Sequence, residues 1–96
     1  MPSDYISEIN KMAELFRALN DATRIKILVQ LLQEEICVTD ISRNLGITES
    51  SISHHLQVLK MNHLVQRKKK GKFVFYQVTD EYIKQILELA LDHIQG

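Results

Sequence analysis

Ninety-six residues with 45% apolar content fit one domain with a modest core, and they exclude a disordered chain. No apolar run reaches the roughly 18 residues of a membrane span, and Met1-Pro2-Ser3-Asp4 lacks a signal peptide's basic-then-apolar layout. A lone Cys37 rules out an internal disulfide framework, and a cytoplasmic protein is expected.

The first predicted helix runs over 4–19, with Asp4 as N-cap. Ile6, Ile9, Ala13 and Phe16 recur at helical spacing, and Met12, Leu15 and Leu19 widen the apolar sector. Asn20-Asp21 breaks it, and Asp21 caps a second helix reaching about Gln33. Ile25, Ile27, Leu28, Val29, Leu31 and Leu32 make that helix apolar almost all round, with Arg24 and Lys26 as polar exceptions. A short third helix starts at Thr39 as N-cap and stops at Gly46, a residue free to take the left-handed conformation that closes helices. Thr48 caps a fourth helix with Glu49 in its first turn, which runs to about Met61 and buries Ile52, Leu56 and Leu59. Two β-prone runs, 64–68 and 73–78, flank a turn containing Gly71 and read as a hairpin. Thr79 is the expected cap of a last helix over 80–94. One apolar stripe there holds Ile83, Leu87, Ala90 and Ile94, and a second holds Tyr82, Ile86 and Leu89.

The net charge is zero, yet 43–72 carries seven basic residues against Glu49 alone, a local +6 balanced by −6 elsewhere. Such a dipolar chain presents one face to a polyanion. Helix, glycine turn and helix, pinned by Ile41, Leu45, Ile47, Ile52 and Leu56, form a helix-turn-helix whose second helix would enter a major groove. Its candidate DNA contacts are Ser50, Ser51, Ser53, His54 and Gln57, short or hydrogen-bonding side chains off the apolar stripe. The alternative is a solvated face without a partner. Glu49 fits this surface poorly unless it meets a cytosine amine or points away. In the hairpin Lys68, Lys69, Lys70 and Lys72, beside Arg67, become a wing that neutralises phosphates.

The expected fold is therefore mainly α with a two-stranded β wing, a winged helix-turn-helix ordered α-α-α-α-β-β-α. Residues 1–96 form a single DNA-binding domain. Helices 4–19 and 80–94 carry apolar arcs wider than one core contact needs and are the expected homodimer interface. A two-fold dimer sets two reading helices about 34 Å apart over a pseudo-palindromic double-stranded DNA operator.

The segments Phe16–Leu28, Ile36–Ile41 and Ser53–Lys60, with the Leu64–Val78 hairpin, resemble the ArsR/SmtB family of small metal-responsive repressors over essentially the whole chain. The resemblance implies a homodimeric transcriptional repressor released from its operator by an inducer. It places DNA contacts on Ser50, Ser51, Ser53, His54 and the wing lysines. Family members bind metal through a Cys-Val-Cys-Asp sequence on the third helix; here Cys37-Val38-Thr39-Asp40 lacks one thiolate, too few for a soft metal. Others hold zinc between the two last helices, with ligands from both subunits. Asp80 and His93 fall at two of those four places, while Tyr82 and Gly96 stand at the others, with Glu81 or Asp92 as conceivable substitutes. The alternative roles are a helix cap for Asp80 and a C-terminal dipole partner for His93.

No catalytic signature is present: adjacent helix residues such as Ser53 and His54 point apart, and no nucleophile elbow or phosphate loop occurs. The chain is expected not to be an enzyme. A constitutive or redox-responsive regulator without a metal site remains the alternative, with a non-DNA interaction module behind it.

Overall fold

A computed structural model describes residues 5–96, so the expected Asp4 cap lies outside the described residues. The elements are α1 (Ile6–Leu19), α2 (Ala22–Leu31), β1 (Ile36–Cys37), α3 (Val38–Leu45), α4 (Glu49–Met61), β2 (Gln66–Lys70), β3 (Phe73–Gln77) and α5 (Glu81–Gln95). Helices and wing follow the expected order, with one addition. The two-residue β1 pairs with β3, Ile36 opposite Tyr76 and Cys37 opposite Phe75, giving an antiparallel sheet ordered β1-β3-β2. Two residues cannot display a periodicity, so β1 is set by its distant partner and not by its own sequence.

Local chemistry fixes the boundaries. The Asp21 carboxylate accepts the Arg24 N–H at 3.0 Å and starts α2 as expected. α2 stops at Leu31, short of Gln33, and the Leu31 carbonyl accepts the Val78 N–H at 3.2 Å, tying the helix end to the sheet. The cap of α3 is Cys37, not Thr39, because the extended backbone of β1 runs straight into the helix. α5 is capped by Asp80, not Thr79: its carboxylate accepts the N–H groups of Tyr82 (2.8 Å) and Ile83 (3.3 Å), a charge-assisted pair.

The core joins one face of each middle helix to the inner face of the sheet. Ile27, Leu28 and Leu31 of α2 meet Ile41 of α3 and Ile52, Leu56 and Leu59 of α4, closed below by Leu64, Val65, Tyr76 and Val78. α2 is less enclosed than its sequence predicts, since Ile25 and Val29 face outward. The end helices touch this core with one edge only. Leu15, Ala18 and Leu19 anchor α1, and Ile83, Ile86 and Leu87 anchor α5. The other edges leave Ile6, Ile9, Met12 and Phe16, and Tyr82, Leu89, Leu91 and Ile94, exposed.

Candidate nucleic-acid interface

The turn between α3 and α4 is made by sequence-local bonds. Gly46 closes α3 in the left-handed region at φ 65°. The Ile47 N–H donates to the Ser42 carbonyl at 3.2 Å, and the Ser42 hydroxyl donates back to the Ile47 carbonyl. Thr48 then caps α4, its hydroxyl accepting the Ser51 N–H at 3.2 Å. Ile52, Leu56 and Leu59 are fully buried, which rotates the opposite side of α4 outward. Ser50, Ser53, His54 and Gln57 are exposed and Ser51 is half-buried. Among the described residues, none of these five side chains is engaged in a hydrogen bond within the chain. Glu49, the awkward member of the sequence reading, accepts the Thr39 hydroxyl at 3.2 Å and is drawn towards α3.

The α4 C-terminus sets the departure towards the wing. His63 adopts φ 60°, and the N–H groups of His63 and Leu64 return to the carbonyls of Lys60 (3.0 Å) and Leu59 (2.9 Å). This is a Schellman closure with histidine where glycine is usual. It places Leu64 and Val65 in the core and sends β2 outward.

Gly71, at φ 60°, and Lys72 alone turn the hairpin, so Lys69 and Lys70 are strand residues and not loop. Pairing puts Lys68 opposite Phe75 and Lys70 opposite Phe73 on one face; Arg67 and Lys69 share the other with Tyr76 and Val74. Lys70 forms an ion pair with Glu35, and its ammonium lies 5.2 Å from the Phe75 ring centroid. The Lys72 ammonium lies 5.5 Å from the centroid of Phe73. Lys68, Lys69 and Lys72 have no carboxylate partner among the described residues. Glu49 and Ser53 of α4, Thr39 of α3 and Lys72 and Phe73 of the wing line one notch of about 240 Å³, so helix and wing tip adjoin, with the Glu49 carboxylate between them.

The weak metal candidates do not converge within one protomer. Within one protomer Asp80 and His93 stand at opposite ends of α5, roughly 20 Å apart at 1.5 Å per residue, so only a site shared between two subunits would bring them together. One oxygen of the Asp80 carboxylate serves as a cap, Tyr82 offers a phenol, and Gly96 has no side chain. These residues do not fit a four-ligand zinc sphere. Cys37 is buried in β1, and among the described residues no three His, Cys, Asp or Glu side chains gather in one place.

Two features lay outside the sequence reading. Arg24, noted only as a polar exception on α2, bonds to the end of α1 and to His55 of α4. Glu35, in the α2–β1 connection, holds Lys70. The first was signalled by a cation on an apolar helix; the second had no local signal, since thirty-five positions separate the partners.

A reading helix with a free polar face, a turn of fixed geometry and an adjoining basic hairpin define a winged helix-turn-helix DNA-binding regulator. Residues 21–67 match the model of the arsR family of bacterial regulatory proteins. The chain is 40% identical over 83 residues to a cadmium resistance transcriptional regulatory protein CadC homolog of Staphylococcus aureus, covering 85% of this chain and 69% of that protein. It is 31% identical over 90 residues to a transcriptional repressor SmtB homolog of Synechocystis, covering 94% and 68%. Its fold matches a homodimeric winged helix-turn-helix DNA-binding domain from Mycobacterium bovis with a TM-score of 0.90, at 24% identity, over 99% of this chain and 88% of that one. The chain belongs to the arsR family of transcriptional regulators.

Proposed function

We propose that this chain is a homodimeric repressor that binds a pseudo-palindromic operator, with α4 in the major groove and the wing on flanking phosphates. The observation that carries this is the exposed face of Ser50, Ser53, His54 and Gln57, adjoining Lys72 at the wing tip across a shared notch. Ser51 lies at the edge of that face, where its hydroxyl suits a phosphate. The exposed apolar edges of α1 and α5 supply the two-fold contact that brings two such faces onto one duplex. The protein works by binding and not by catalysis, and it acts in the cytoplasm, where its DNA is. Its signal is not a metal held by Asp80 and His93, because the accompanying ligands do not fit.

The test is selection of duplexes from a random-sequence pool, followed by binding to the selected duplex and to a scrambled one. A selected palindrome bound far more tightly than its scramble is the expected result; equal binding to both would remove the repressor reading. Ser53→Ala with His54→Ala should reduce the preference by roughly tenfold or more, as loss of base contacts does. Repeating the titration with zinc, cadmium, copper(I) and peroxide separates an induced repressor from a constitutive one.

A further inference from the structure

Arg24 connects three helices through one guanidinium. Its Nε donates to the Ala18 carbonyl at 2.6 Å and its Nη2 to the Arg17 carbonyl at 3.3 Å, both in the last turn of α1. Its Nη1 lies 3.8 Å from the Asp21 carboxylate that caps α2, and 3.4 Å from Nδ1 of His55 in α4. The side chain is only 15% exposed, and its bonds to Ala18 and His55 are part-buried and so partly shielded from competing water. An arginine cannot accept a hydrogen bond, so the bond forms only with Nδ1 of His55 as acceptor, which in a neutral imidazole puts the proton on Nε2. His55 directly follows His54, an exposed residue of the reading face, and their rings meet edge-on at 5.9 Å. α1 belongs to the proposed dimer surface and α4 reads DNA. The angle between them therefore governs the separation and tilt of the two reading helices in a dimer.

We infer that Arg24 and His55 are positioning residues: the Arg24–His55 bond locks the reading helix to the dimer-forming helix, and operator affinity depends on it. Neither side chain needs to touch DNA. The inference rests on the repressor reading above, since it concerns how that surface is aimed. Non-specific binding, which tolerates misalignment, depends on it little.

The experiment measures affinity of the full chain for the duplex it selects from a random pool and for a scrambled duplex. His55→Leu removes the acceptor while leaving the carbonyl bonds of Arg24 intact. It should weaken the selected duplex about tenfold, the effect of losing one hydrogen bond to a charged group, and leave the scramble within about twofold. His55→Asn, which keeps an acceptor near the Nδ1 position, should restore most of the affinity. Combining His55→Leu with Arg24→Lys should cost no more than Arg24→Lys alone, because the one bond that His55→Leu removes is already among those lost with the guanidinium. Additive losses would mean that His55 meets DNA independently of Arg24 and would overturn the inference, as would wild-type affinity for His55→Leu. Arg24→Lys risks unfolding by abandoning the α1 carbonyls, so the wild-type protein supplies a second measurement. Nitrogen-15 NMR of the imidazole should show His55 as the Nε2–H tautomer; an Nδ1–H tautomer rules out the bond. If the wild type selects no duplex, the repressor reading itself fails, an outcome separate from all of these.

Discussion

At the scale of single residues, two left-handed positions frame α4, and they differ in cost. Gly46 meets nothing within 4 Å of where a Cβ would stand, so the penalty of Gly46→Ala is purely conformational. It should destabilise by roughly 1–2 kcal/mol in urea denaturation. His63 already bears that penalty with a side chain at φ 60°. His63→Gly should therefore raise stability by about 1 kcal/mol, again read by urea denaturation. Asp21 gives a pH-dependent counterpart. Its carboxyl is held below the ordinary 3.8 by the Arg24 backbone N–H first, with the Arg24 guanidinium and the Thr23 N–H adding to this. A lowered folded-state value means that its contribution is complete above 3.8 and fades as pH falls through the folded-state value. Asp21→Ala should cost about 1 kcal/mol near neutrality, with the gap to wild type narrowing below pH 3.8 in acid titrations of stability.

At the scale of elements, the wing lysines are not equivalent. A cation that neutralises one phosphate contributes roughly 0.9 to the log–log slope of affinity against salt. Lys69→Ala should lower the slope by about that amount. Lys70 must first leave Glu35 and the Phe75 ring, so Lys70→Ala should lower it less, while Glu35→Gln should strengthen binding to any duplex. Salt titrations of the three variants on the scrambled duplex check this; equal slope losses for Lys69 and Lys70 would show that the Glu35 pair is too weak to compete. The wing is also where the sequence reading was incomplete. Periodicity identifies strands of five residues, but it assigned Lys69 and Lys70 to a loop, because four basic residues in a row carry no alternation to read.

At the scale of the whole molecule, α1 and α5 divide their apolar residues between core and solvent. Leu89 and Ile94 are 68% and 79% exposed at the far end of α5, beyond the anchor of Ile83. An apolar edge of this kind is a subunit contact or an aggregation hazard. Leu89→Glu with Ile94→Glu should give a folded monomer by analytical ultracentrifugation, with helical circular dichroism retained. Operator affinity should fall by 10²-fold or more, because each half-site is then bound separately and the effective concentration of the second is lost. A variant that remains dimeric would move the interface elsewhere, with Ile25 and Val29 of α2 the next exposed apolar pair.

The sequence by itself determined the reading helix and its surroundings. Thr48, Gly46 and the Ile52/Leu56/Leu59 stripe act within one or two helical turns, so their chemistry is written locally and the face carrying Ser50, Ser53, His54 and Gln57 follows by geometry. The basic segment and the missing metal ligands are likewise a matter of composition and position. Tertiary structure alone decided what depends on residues distant in the chain. It formed β1 against β3, gave the end of α2 to Val78, drew Glu49 to Thr39, paired Lys70 with Glu35, and set Arg24 between α1 and His55. It also chose which half of each terminal apolar arc is core and which half remains open. A helical arc of apolar residues has no label for its partner, and only the packed core, by covering one edge, leaves the other exposed.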